Sequence, residues 1–152
     1  MSLASVQADL AARAPDLVVQ VTENSTATVQ LAAEVHGVEP GQIAKTLCIR
    51  VNGEVLLLVT RGDARLDNAK AKAEFGGKVR MMTAEEVVAL TGHPIGGVCP
   101  FGLATPLPVH CDVSLQPFDS VIPAAGSAHS AVRIAPQHMM GITAAIWVDV
   151  CR

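Results

Sequence analysis

At 152 residues, 50% hydrophobic and 16% charged, the chain is sized for a single compact domain, residues 1–152, with a full core. A formal charge of −3 argues against general affinity for nucleic acid. No apolar run reaches the ~18 residues of a membrane span, and the N-terminal stretch carries charge where a signal peptide needs an apolar centre. We therefore expect a soluble, cytoplasmic protein with no membrane partner.

In chain order, Leu3, Val6 and Leu10 fall at helical spacing, with Ser2 or Ser5 as cap and Pro15 as stop. Leu17 to Thr22 reads as a strand. Asn24, Ser25 and Thr26 offer caps for a second helix through His36, which Gly37 ends. After Glu39-Pro40-Gly41, Ile43 to Val51 and Glu54 to Thr60 form a hairpin around Asn52-Gly53, the pair that accepts both positive φ values of a type I′ turn. Asp67 caps a helix through Phe75 that Gly76-Gly77 terminates, and Lys78 to Met82 is a short strand. Thr83 and Glu86 make a capping box for a helix through Leu90. Further strands are expected at Leu107 to Val113, Val121 to Ala125, Ser130 to Ile134 and Ala145 to Val150, with a short helix opened by Pro136. Helices and strands interleave irregularly, so the fold class is α+β: one domain on a curved, partly barrel-like mixed sheet surrounded by helices.

The stretch Thr91 to Gly102, TGHPIGGVCPFG, alternates glycines that permit close approach with prolines that stiffen the chain. The amides of Gly97, Val98 and Cys99 are free in such a loop to meet a ligand oxygen; the plainer alternative is a helix-to-strand connection. Between Lys45 and Arg80 lie eight basic residues against four acidic ones, a local balance of +4, while the remainder carries −7. That suits either a phosphate-bearing partner met at one place or an ordinary solvated surface.

Individual side chains leave similar choices open. Lys45 is either a strand-end lysine snorkelling to solvent or a point charge for a phosphate or developing oxyanion. His129, in a turn beside Ser127 and Ser130, has no obvious acid partner, which supports a Ser-His-Asp triad only weakly. The histidines show no metal-ligand spacing, and Cys48, Cys99, Cys111 and Cys151 contain no CxxC pair, so neither a metal nor a disulfide framework is indicated.

The order STATVQLAAEVHG, IAKTL, hairpin, basic helix, TAEEVVALTG, GGVCP, AGSAHSAVRIAP resembles the freestanding aminoacyl-tRNA editing domains related to YbaK and to the insertion domain of bacterial prolyl-tRNA synthetase. The resemblance covers nearly the whole chain. It rests on the lysine of IAKTL, a GxxxP motif at Gly96 to Pro100, and the histidine after the glycine turn. It implies hydrolysis, in trans, of the ester joining a wrong amino acid to tRNA, with no cofactor. Lys45 would engage the phosphate or ribose of the terminal adenosine. The backbone of Gly96, Gly97, Val98, Cys99 and Pro100 would hold the scissile ester. Thr46, Gly126, His129 and Ser130 would border the substrate, His129 at the amino-acid pocket.

Arg61, Arg65, Lys70 and Lys72 would face acceptor-stem phosphates, and an aminoacyl-tRNA synthetase is a possible second partner. Oligomeric state is not readable. In the cysteine-specific branch the substrate's own thiol is thought to attack, but that branch is less similar around AGSAHS. Thr46 matches the insertion domain, where freestanding alanine enzymes commonly carry asparagine. The expected substrate is thus alanine, serine or threonine, with cysteine behind them, on a proline or similar tRNA. Two other readings remain: a tRNA-binding module without turnover, and a hydrolase of another activated ester using Cys99 or Ser130 as nucleophile.

Overall fold

The computed structural model describes residues 2–152. Helix α1 (Ser2–Arg13) stops directly before Ala14-Pro15. A two-residue strand β1 (Gln20–Val21) follows, then α2 (Val29–His36), β2 (Ile43–Val51), β3 (Glu54–Arg61), α3 (Asn68–Phe75), β4 (Val79–Met81) and α4 (Ala84–Thr91). Beyond the central loop come β5 (Val109–Asp112), β6 (Ile122–Pro123), β7 (Ser130–Ala131), α5 (Pro136–Thr143) and β8 (Ile146–Val148). No helix among the described residues is long and apolar enough to cross a membrane.

Several local signals are realised as read. Asn52 and Gly53 both take positive φ, 51° and 80°. Asp67 accepts the Lys70 amide, and Thr83 and Glu86 complete the capping box. Two caps differ. Thr28, not Asn24 to Thr26, caps α2, accepting the Leu31 amide. Neither Ser2 nor Ser5 caps α1, because both hydroxyls turn toward the central loop. The later strands are shorter than their apolar runs: β5 begins at Val109, and around β6 and β7 the pairs Val121–Ile134 and Ala124–Ala131 are isolated bridges rather than continuous ladder.

The sheet runs β4-β2-β3-β5-β8, with β6 paired to β2 off that path. The β2–β3 and β2–β4 pairs are antiparallel, whereas β3–β5, β5–β8 and β2–β6 are parallel, so the sheet is mixed as expected; it remains open, ending at β4 and β8. Central β3 is buried on both faces, which explains its unbroken LLLV run. Leu57 and Val59 join Ala44, Cys48 and Cys111 in the larger core under α1, while Leu56 and Leu58 join Ile49, Val51 and Val148 on the other face. Full burial of each such leucine contributes roughly 1.5–3 kcal/mol.

The hairpin closes on the Val51–Glu54 pair, so the odd residues of β2 bond to β3 and the main-chain groups of Ala44, Thr46, Cys48 and Arg50 turn to the opposite edge. On that edge β4 covers Ile49 to Val51 and β6 covers Ile43 and Ala44. Between them, Thr46 and Cys48 face no strand, which leaves a gap in the sheet edge.

Candidate active site

A cavity of about 210 Å³ opens beside this gap. Strand β2 supplies Ala44, Lys45 and Thr46; the lead into α2 supplies Thr26, Ala27 and Thr28; the central loop supplies Ile95, Gly96 and Val98; and β6, β7 and their connection supply Ile122, Ala124 and Ser130. Three stretches far apart in sequence, the lysine strand, the GxxxP loop and the serine turn, thus meet at one place.

The loop is fixed by close packing. Gly96 has φ 89°, and a Cβ there would lie 2.8 Å from the Ala27 Cβ. At Gly97 a Cβ would come within 2.5 Å of the Ser127 nitrogen, and the Gly126 amide donates to the Gly97 carbonyl at 3.0 Å. Glycine is required at Gly97 by contact and at Gly96 by contact as well as by backbone angle. One sequence expectation is corrected: the Gly97 amide is not free but donates to the Pro94 carbonyl at 2.9 Å, closing a turn. The amides of Val98 and Cys99 have no partner among the described residues and remain the loop's available donors.

Lys45 lines the cavity, yet its ammonium donates to the Ala64 carbonyl at 2.6 Å. Beside it on the strand, the Thr46 hydroxyl is buried without a partner. Ser130 is buried, and its hydroxyl pairs with that of Ser127 at 2.6 Å. His129 is exposed and lies outside the cavity lining; its carbonyl accepts the Thr22 amide at 2.7 Å. Gly126 lies behind the cavity, where an added Cβ would meet the Ser2 carbonyl.

The Cys99 side chain points away from the cavity into the core, fully buried, 3.6 Å from His93 Nε2. Burial pushes its thiol up to about 12, which leaves it protonated and unreactive at neutral pH. Pro100 faces a separate cleft against α1 that also contains Asp9 and Arg13. No carboxylate, imidazole or thiol lines the cavity, and the Lys45 amine there is bonded to the Ala64 carbonyl while the Ser130 hydroxyl pairs with Ser127, so Ser130 has no base paired to it.

The four expected phosphate contacts divide into two kinds. Arg61 is held by Asp63 at 2.5 Å and lies over the Phe118 ring at 5.0 Å, and Lys70 bonds to Asp149 and to the Cys151 carbonyl. Arg65 and Lys72 are exposed and without an ion pair among the described residues. Sequence reasoning missed Thr26, Thr28, Ile122 and Ala124 as wall residues. Thr26 reads in the sequence as a cap candidate beside Asn24 and Ser25, and Val121 to Ala125 as a strand, with nothing local to mark either as a cavity wall.

Residues 23–142 match the model of a family described as the aminoacyl-tRNA editing domain. The chain is 48% identical over 132 residues to YwhH of Bacillus subtilis, covering 86% of this chain and 84% of that protein. It is 31% identical over 119 residues, 76% of this chain and 72% of the other, to EbsC of Enterococcus faecalis, provisionally named a Cys-tRNA(Pro)/Cys-tRNA(Cys) deacylase. Among solved structures, one provisionally described as a trans-editing enzyme for prolyl tRNA synthetase superposes with a TM-score of 0.92 at 37% identity, covering 99% of this chain and 97% of that one. With the family match spanning most of its length and the fold shared throughout, the chain belongs to the YbaK type of aminoacyl-tRNA editing domains, hydrolases of the ester on mischarged tRNA.

Proposed function

We propose that this protein removes a small amino acid, cysteine foremost, from a mischarged proline or similar tRNA, and that the cavity beside the β2 gap is where it does so. The observation that carries this reading is a cavity lined by Val98, whose amide is unpaired, and by the cation Lys45, with no side-chain nucleophile paired to a base. An aminoacyl ester is already activated, so positioned donors for the developing oxyanion and a nucleophile from water or the substrate suffice.

Cysteine fits that chemistry best. Its thiol sulphur attacks its own carbonyl carbon, the carbon–ribose oxygen bond breaks, the thiol proton passes to the ribose oxygen, and water then opens the resulting thiolactone. The provisional name of EbsC points the same way. Walls rich in alanine, valine and isoleucine suit a small, weakly polar side chain. Alanine, serine and threonine, favoured on sequence alone, become the competing substrates. In this reading the Val98 and Cys99 amides face the ester and Lys45 leaves Ala64 to meet a phosphate or ribose oxygen of the terminal adenosine. Thr46 and Ser130 border the aminoacyl group, Arg65 and Lys72 lie along the acceptor stem, and a synthetase partner supplies tRNA identity.

The test is deacylation of cysteinyl, alanyl, seryl and threonyl esters on proline, alanine, threonine and cysteine tRNAs by wild type and Lys45→Ala. Release of cysteine by wild type and its loss in the variant is the expected result. Release of alanine alone would replace the substrate; release of none, with tRNA still bound, would leave a binding module.

A further inference from the structure

Behind the cavity the central loop is held from the core side by a histidine that the chemistry does not use. His93 is fully buried, with Nε2 2.7 Å from the Phe101 carbonyl and Nδ1 2.5 Å from the Ser2 hydroxyl. A carbonyl only accepts, so Nε2 carries the proton and Nδ1 accepts from Ser2. One ring therefore ties residue 93 to residue 101 across the base of the loop and both to α1.

Two further bonds run beside it. Ser5 donates to the Gly102 carbonyl at 3.1 Å, and the Gly102 amide donates to Asp9 Oδ2 at 2.7 Å. Gly126 and Gly102 press so closely on α1 that a Cβ at either would come within 2.6 Å of Ser2 or Ser5 main-chain atoms. Since Gly126 also donates to the Gly97 carbonyl, a contiguous path runs from α1 to the residue before Val98. The family match begins at residue 23, so the helix end of this path lies outside it.

We propose that His93 is a positioning residue for the editing reaction: with Ser2 it holds the Gly96 to Pro100 loop so that the Val98 and Cys99 amides point at the substrate ester. The inference rests on the reading that this loop holds the ester. His93 itself touches no substrate, being sealed from the cavity by the loop. The groups facing it are the Ser2 hydroxyl, the Phe101 carbonyl and the Cys99 thiol; Asp9, whose charge acts on Cys99, is engaged by Arg13 and Gly102. Burial lowers the imidazole pKa and raises that of the thiol, so neither changes charge near neutral pH and the cluster works as a brace rather than a proton relay.

The experiment compares His93→Ala, His93→Gln and Ser2→Ala with wild type, below each variant's unfolding midpoint, in steady-state deacylation and in amide hydrogen exchange. His93→Ala should lower kcat by about tenfold or more with KM within about twofold, as expected of lost alignment rather than lost binding. His93→Gln keeps an N–H for the Phe101 carbonyl and should recover most of that loss. Exchange at residues 95–102 should rise in His93→Ala while the β2–β3 hairpin stays protected.

An unchanged kcat in folded His93→Ala, or exchange rising equally throughout, overturns the proposal. If His93→Ala does not fold, Ser2→Ala decides by the same two readouts, with a smaller kcat loss expected. Should wild type cleave no ester, the proposed function fails. Exchange then still judges the brace: a loop as protected in the variants as in wild type overturns it, and selective loosening sustains the positioning of the loop alone.

Discussion

The Lys45 ammonium is seated 2.6 Å from the Ala64 carbonyl, so the cation at the edge of the cavity is already bonded to the protein. Substrate binding must therefore exchange one acceptor for another, and removal of the side chain has two effects. Lys45→Ala should reduce deacylation by roughly 10²-fold, as for loss of one oxyanion or phosphate donor. It should also lower stability by about 1.5 kcal/mol, the bottom of the range for charged hydrogen bonds, because the side chain is only partly buried. Lys45→Arg should keep the stability, read in urea unfolding, but not the rate, since a planar fork does not replace a point charge in a cavity this size.

Gly97→Ala should be more damaging than its small size suggests. The new methyl would meet main-chain atoms of Gly126 and Ser127, which cannot swing aside as a flexible side chain can. We expect a stability loss of about 1–3 kcal/mol, the usual cost of overpacking. Activity should fall further than partial unfolding explains, because the loop is pushed off the serine turn. Calorimetry and single-turnover rates at the same temperature separate the two effects.

Cys99→Ala should retain deacylation within a few-fold. With its thiol buried and pushed up to about 12, Cys99 is neither exposed nor ionised. A mild alkylating agent should leave the native protein unmodified at this residue and modify it after denaturation. Loss of activity in a folded Cys99→Ala protein would restore the nucleophile reading.

Acid should loosen the α1 brace through Asp9. Burial raises the pKa of this carboxyl, but the Arg13 side chain and the Gly102 amide outweigh it, and the net shift is downward from 3.8. A depressed folded pKa means the stabilisation is present above about pH 4, the ordinary carboxylate value, and is lost as pH falls through the lower folded value. Asp9→Asn should therefore be less stable than wild type at neutral pH and show a flatter acid limb when unfolding is followed from pH 6 downward.

Binding of tRNA should depend on salt, with the exposed cations carrying more of the slope. Arg65→Ala and Lys72→Ala should each reduce the slope of log K against log salt by up to about 0.9. Arg61→Ala and Lys70→Ala should change it less, because Asp63 and Asp149 already neutralise those charges. Titration of labelled tRNA between low and moderate salt measures all four.

Features settled within a few residues were legible in the sequence. The positive φ pair at Asn52-Gly53, the cap at Asp67, the Thr83–Glu86 box and the left-handed ends at Gly37 and Gly76 follow from local steric and hydrogen-bonding preferences. The motif order also named the lysine strand and the glycine loop as parts of one site. Tertiary structure decided the rest, because those features depend on partners distant along the chain. The gap at Thr46 exists only because β4 and β6 cover either side of it. Thr28 rather than an earlier residue caps α2 where the lead packs beneath Gly96, and the Gly97 amide is spent on Pro94. His93, one more loop histidine in the sequence, becomes a brace because α1, some ninety residues earlier, brings Ser2 against it. Local geometry fixes turns and caps, whereas a cavity is shaped by whichever segments the folded core presses together.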